Sequence, residues 1–169
     1  FWYKLSFKIG IKNVTLIGAL ILSLMGLPLL FVPAGPEGLP FTMVVLFMAG
    51  LVDGAMISMK YPVFSSVVDK ATLDVDKHQE GLYQGIFTFF KRLAISIRVV
   101  IFWIVQISFG YDPESQAEPT TAELLGLRFQ VSIVPMIIML TGIFIFWWLY
   151  RISSQDIKDN LIRLSEKGL

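Results

Sequence analysis

Four long apolar stretches separated by short polar ones organise this sequence. Val14 to Val32 and Phe129 to Tyr150 contain no Asp, Glu, Lys or Arg. Each matches the roughly 20 mostly apolar residues that carry a helix across a hydrocarbon core about 30 Å thick. Phe41 to Phe64 is interrupted only by Asp53 and Lys60, and Gly81 to Phe109 only by Lys91, Arg92 and Arg98. The pattern predicts an all-α, polytopic membrane protein with four transmembrane helices over residues 14–32, 41–64, 81–109 and 129–150. A basic loop over 1–13 and a polar tail over 151–169 flank them. The last stretch ends in Trp147, Trp148 and Tyr150, an aromatic belt of the kind found at a membrane interface. The first is too long, and too soon followed by others, to be a cleaved leader.

Composition narrows the function. Of 169 residues 55% are hydrophobic and 16% charged, against about 25% charged in soluble domains. A net charge of +1 provides no basic field for a nucleic acid. With no Cys and His78 as the single His, disulfides, thiolate nucleophiles, Cys-based metal sites and His clusters are excluded. No Ser-His-Asp set, phosphate-cradling Gly loop or metal motif appears, so the chain is expected to be no enzyme and to need no cofactor. His78 reads as a solvated loop residue.

Lys and Arg placement predicts orientation. Lys4, Lys8, Lys12, Lys70, Lys77, Arg151, Lys158, Arg163 and Lys167 fall on one side of the four spans, and the opposite loops hold none. Both termini and the loop over 69–80 are therefore expected in the cytoplasm, in a multi-pass protein of the cell membrane. In the tail, Ser153 with Asp156 three residues on forms a capping-box pattern, after which Ile157, Leu161 and Leu164 share one helical face.

Charges within the spans carry the functional signal, since a central charge costs about 2.5–3.5 kcal/mol on insertion scales and usually faces a bundle interior or a watery path. Counted from the outer ends, Asp53 and Arg98 each lie twelve residues in, about 18 Å deep, and Lys60 and Lys91 each nineteen residues in, about 28 Å deep. Asp53 is thus expected to pair with Arg98, and Arg128 to snorkel at the outer edge. On the third span Gln84, Lys91 and Arg98 recur every seven residues and form one stripe with Thr88 beside Lys91; Arg92 points about 100° away. Gly50 and Gly54, in small-x-x-x-small register, suit close helix crossings.

These residues resemble the glycoside-pentoside-hexuronide:cation symporters, a branch of the major facilitator superfamily. Asp69, then Glu80-Gly81-Leu82-Tyr83, Gly85, Thr88 and a basic residue at Arg92 are similar to that family's D-x10-E-G-L-Y-x-G-x-x-T-x-x-x-K pattern. Phe109-Gly110-Tyr111 resembles its G-Y signature, Gly126-Leu127-Arg128 its G-I-R, and residues 5–12 the basic loop before its ninth helix. The family usually has Asp where Ser66 stands, an acidic residue near Thr72, Gly at Asp76 and Arg at His78.

The resemblance implies that the four spans are helices nine to twelve of a twelve-helix carrier. This carrier would move a sugar-like solute with a cation by alternating access. Lys91, Arg92 and Arg98 would line the solute path, Gln84 and Thr88 would add hydrogen bonds, and Asp53 would balance charge; Arg98 and Asp53 match no motif of the family, and their roles follow from the charge argument alone. Asp69, Glu80 and Gly81 would form a cytoplasmic gate. The family's basic residue falls at Arg92, with Lys91 just before it. A coupling cation, Na+ or H+, would be held mainly by the amino-terminal half that this chain lacks. The expected partners are the lipid bilayer, a glycoside or sugar acid, and that other half. The alternative from the charges alone is a self-contained four-helix scaffold whose buried charges serve assembly.

Overall fold

The computed structural model describes residues 2–33, 35–77, 79–112 and 119–167. His78 and residues 113–118 lie outside them. The described residues form seven α-helices: α1 (Trp2–Ile9), α2 (Ile11–Leu24), α3 (Leu39–Val75), α4 (Glu80–Ser108), α5 (Thr121–Val131), α6 (Ile133–Leu149) and α7 (Ser154–Lys167). Short 3-10 turns, Leu27–Phe31 and Pro36–Gly38, join α2 to α3.

Three segments are long and apolar enough to cross a membrane: Ile11–Phe31, Pro36–Val75 and Thr121–Leu149. The helix α4 has the length, 29 residues, yet every eighteen-residue stretch of it carries three charges. The same residues that single it out chemically keep it from being a plain apolar span.

Boundaries differ from expectation for local reasons. Residues 2–9, expected as loop, are helical; Gly10 at φ 86° then reverses the chain into α2, a backbone angle open to glycine. The start of α1 reaches far along α3, where the Trp2 indole N–H donates to the Leu51 carbonyl at 3.0 Å. The α3 helix runs on beyond Phe64 to Val75, and its 37 residues measure about 56 Å. It ends at Asp76 with φ 52°, a left-handed cap that favours glycine. The family's usual Gly at this position has a conformational reason. The final apolar stretch is broken at Ser132, because Pro135 has no N–H for the Val131 carbonyl and its ring crowds that group.

The core lies where α2 crosses α3, and Val14, Ala55 and Met59 are fully buried there. The crossing is close because Gly18 has no side chain: a Cβ built on it would lie 2.7 Å from the Ala55 Cβ. Gly54 instead faces the Trp2 ring, and Gly50 has nothing within 4 Å. Only one of the expected pair of glycines therefore meets another helix.

On its other side α2 packs on α6, and the end of α6 is tied to α3 by the Tyr150 hydroxyl, 2.8 Å from the buried Ser66 hydroxyl. Ser66, where the family usually has Asp, is thus occupied by a neutral hydrogen bond. At the same end the Lys12 ammonium donates to the Trp147 carbonyl at 3.2 Å, and α7 lies against α3 through buried Leu164 and the Lys167–Asp76 ion pair.

The capping box of α7 is present. The Ser153 N–H donates to the Asp156 carboxylate at 2.7 Å, and the Asp156 N–H donates to the Ser153 hydroxyl at 3.1 Å. The backbone bond from Ser153, then its side chain, hold the Asp156 carboxyl below its ordinary 3.8. Because the folded value is the lower, the ionised cap contributes stability above 3.8 and loses it as pH falls through the folded value. Hydrogen exchange, corrected for intrinsic rates, should show α7 amides less protected below that window and in Asp156→Asn at neutral pH. Equal protection in all three states would rule the cap out as a support of the helix.

Candidate functional site

The α4 helix touches the rest of the chain near its two ends. At one, Phe87 lies 5.5 Å from Phe64 of α3. At the other, Phe109 lies 5.8 Å from Phe129, with its ring against Gly126 of α5. Between these contacts residues 89–100 are all exposed, Lys91, Arg92 and Arg98 among them. A turnless 29-residue helix forms here because no Pro and no interior Gly beyond Gly81 and Gly85 interrupts it.

The three cations divide between two faces. Lys91 and Arg98 follow Gln84 at helical spacing and share a side with Phe87 and Phe109, the residues by which α4 meets its neighbours. Thr88, half-buried, flanks that face. Arg92 is turned about 100° from Lys91, on a line with Ser96 and Trp103, the latter 63% exposed. The Ser96 hydroxyl donates to the Arg92 carbonyl at 3.4 Å.

Asp53 and Arg98 do not pair. Both are exposed, and the ion pair found among the described residues is Lys167–Asp76. Their expected common level is nevertheless consistent with the antiparallel register. Counted from the Phe64–Phe87 contact, Asp53 on α3 and Arg98 on α4 each lie eleven residues outward. Asp53 and residues 89–100 of α4 are exposed, so the shared level does not become contact. Asp53→Asn and Arg98→Gln should therefore lower expression of the full-length protein additively, as uncoupled sites do; rescue of one by the other would show a pair that forms in another state.

Arg128, expected to snorkel at the outer edge, meets there the end of the first apolar stretch. It is half-buried and donates to the Val32 carbonyl at 2.6 Å, closing the end of the Leu27–Phe31 turn. The half-buried Lys60 has its ammonium 5.0 Å from the Tyr61 ring centre and 5.3 Å from that of Phe87.

Asp69, Glu80 and Gly81 come together with Gln84 around a recess of about 450 Å³ between the adjoining ends of α3 and α4. Ser65, on the same wall, donates to the Asp69 carboxylate at 3.3 Å. The recess places two carboxylates and an amide at the junction where α4 leaves α3, an arrangement suited to hydrogen bonding across a joint. Sequence reasoning missed Tyr150 as a partner of Ser66 and Trp2 as a prop of α3. The aromatic-belt pattern identifies Tyr150 as interfacial but says nothing of which helix its hydroxyl meets.

Comparison with known proteins agrees with this architecture. Residues 1–154 match the family described as MFS/sugar transport protein. The chain is 26% identical over 160 residues to the Glucuronide carrier protein homolog of Escherichia coli strain K12, an alignment covering 95% of this chain and 34% of that protein. This chain therefore spans about a third of the length of the relative it matches. No solved structure matches. With its apolar membrane-spanning helices and a match over nearly its whole length, the chain belongs to the MFS/sugar transport protein family, whose members are multi-pass membrane transporters.

Proposed function

We propose that the complete protein is a cation-coupled symporter of an anionic sugar derivative, working by alternating access. In this account α4 crosses the membrane as a fourth span, and the spans are helices nine to twelve of a twelve-helix carrier in the cell membrane with both termini cytoplasmic. The observation that carries it is the bare middle of α4: residues 89–100, three of them cationic, have no protein cover in this chain. Three cations facing hydrocarbon would cost several kcal/mol. Water and a solute in a central path, met from the other half of the carrier, remove that cost.

The charge balance supports an anionic solute. Lys91, Arg92 and Arg98 on α4 stand against Asp53 on α3, leaving an excess of positive charge along the two spans, with Arg98 level with Asp53 and Lys91 and Arg92 nearer the inner end, and the similar E. coli protein is named for a glucuronide. In this reading Arg92 lines the solute path, which its match to the family's basic position supports, with Gln84, Thr88, Lys91 and Arg98 bordering it on the neighbouring face of α4 and Asp53 balancing charge from α3. Asp69, Glu80 and Gly81 form the cytoplasmic gate in this reading, which their shared recess in the joint between α3 and α4 supports. The coupling cation, Na+ or H+, is assigned mainly to the other half.

The test is uptake by the full-length protein in proteoliposomes, comparing a labelled glucuronide with its neutral glucoside under imposed Na+ and proton gradients. Gradient-driven accumulation of the anionic compound in preference to the neutral one is expected. Uptake of neither compound, or accumulation indifferent to both gradients, contradicts the proposal.

A further inference from the structure

A groove of about 830 Å³ runs between α3 and α6 beneath Phe87 of α4. Its walls are apolar side chains such as Met56, Ile145 and Phe146, and three lining residues carry polar groups: Thr15, Lys60 and Tyr150. Two of these are already engaged, since the Thr15 hydroxyl donates to the Ile11 carbonyl at 2.9 Å and the Tyr150 hydroxyl bonds Ser66. Lys60 remains, half-buried, with aromatic faces as its neighbours and no carboxylate paired to it among the described residues. Both walls belong to segments apolar enough to cross a membrane, so the groove lies at a depth that a lipid chain can reach. Lys60 lies six residues before Ser66, the level at which Tyr150 ends the last span, about 9 Å away along the helix.

We infer that this groove binds an anionic phospholipid, with an acyl chain along the apolar wall and the phosphate at Lys60. An apolar slot with one cation that no described carboxylate pairs, near a membrane interface, is complementary to that ligand: the acyl chain fills the slot, and the phosphate supplies a counter-charge that the described residues do not. The volume lies within the range of about 300–1,000 Å³ typical of small-molecule sites, and basic pockets between membrane helices are known places of acidic headgroup binding. The site is separate from the bare middle of α4, so it stands or falls apart from the transport proposal.

Full-length protein is reconstituted in vesicles of phosphatidylcholine with phosphatidylglycerol as the minor lipid, re-extracted in mild detergent, and the retained lipid measured by mass spectrometry. Phosphatidylglycerol should be enriched over its share in the vesicle. Lys60→Gln should lower the enrichment about fivefold, and Lys60→Arg should keep it. Gly142 lines the groove and has nothing within 4 Å of a built Cβ, so Gly142→Leu can be accommodated and should expel both lipids from the slot. Retained lipid that mirrors the vesicle in the wild type overturns the inference, as does phosphatidylglycerol retention unchanged by Gly142→Leu. Displacement of the lipid by excess glucuronide overturns it too, since the groove would then belong to the solute path.

Discussion

Arg92→Gln is expected to lower uptake of an anionic sugar roughly ten- to hundredfold in the full-length carrier, the range for losing a charge-assisted hydrogen bond worth about 1.5–3 kcal/mol. The same change should affect uptake of a neutral analogue less, because the analogue brings no charge for the guanidinium to meet. Arg92→Lys should recover part of the loss: it keeps the positive charge but gives up the planar, two-pronged fork. Lys91→Gln, on the face that also carries Phe87 and Phe109, should cost less. The comparison decides which of the two neighbours occupies the family's basic position. If Lys91→Gln abolishes uptake and Arg92→Gln does not, the roles are reversed. If both variants transport like the wild type, neither residue touches the solute.

The second large effect concerns the fold itself. Gly18→Ala places a methyl 2.7 Å from the Ala55 Cβ, inside any ordinary carbon contact, so α2 and α3 must move apart around fully buried Val14 and Met59. Overpacking of this kind typically costs about 1–3 kcal/mol. The purified protein should therefore melt at a lower temperature, and Ala55→Gly in the same molecule should restore it, because the clash is between two methyl groups and removing either relieves it. Gly50→Ala is the control: that position has nothing within 4 Å and should not lower the melting temperature, since Ala suits a helix interior better than Gly. Failure of Ala55→Gly to rescue would place the cost of Gly18→Ala elsewhere than in the α2–α3 crossing.

Much of this architecture was legible in the sequence because the signals were long. A run of nineteen uncharged residues such as Val14 to Val32 has few alternatives to a membrane helix, and Ser153 with Asp156 specified a cap that the structure contains. Signals that depend on a single residue were harder to weigh. Pro135 broke the last helix at Ser132, whereas Pro62 sits inside an unbroken α3. The presence of a proline alone does not tell the two outcomes apart.

The candidate site divides along the same line. Spacing along one helix was readable, and it separates Arg92 from Lys91 and Arg98. Spacing between helices was only partly readable: residue counting put Asp53 and Arg98 at one level, but the lateral distance depends on how α3 and α4 run beyond Phe64 and Phe87. Arg128 shows the limit most directly. A cation at a span's edge has two ways to satisfy its donors, outward to water or inward to a carbonyl, and which one wins depends on whether a free carbonyl such as that of Val32 lies within reach.

The account rests on water reaching the middle of α4 inside the membrane, and labelling measures this most directly. This chain contains no Cys, so in a cysteine-free full-length carrier single cysteines can be placed in turn at each position from 89 to 100 and exposed to a charged, membrane-impermeant thiol reagent. Rapid labelling is predicted at positions sharing a face with Arg92, such as Ser96, with slow labelling on the opposite side and protection when the anionic sugar is present. Uniformly slow labelling by the charged reagent, with rapid labelling by a lipid-soluble one, would show that these cations face the bilayer and would contradict the account.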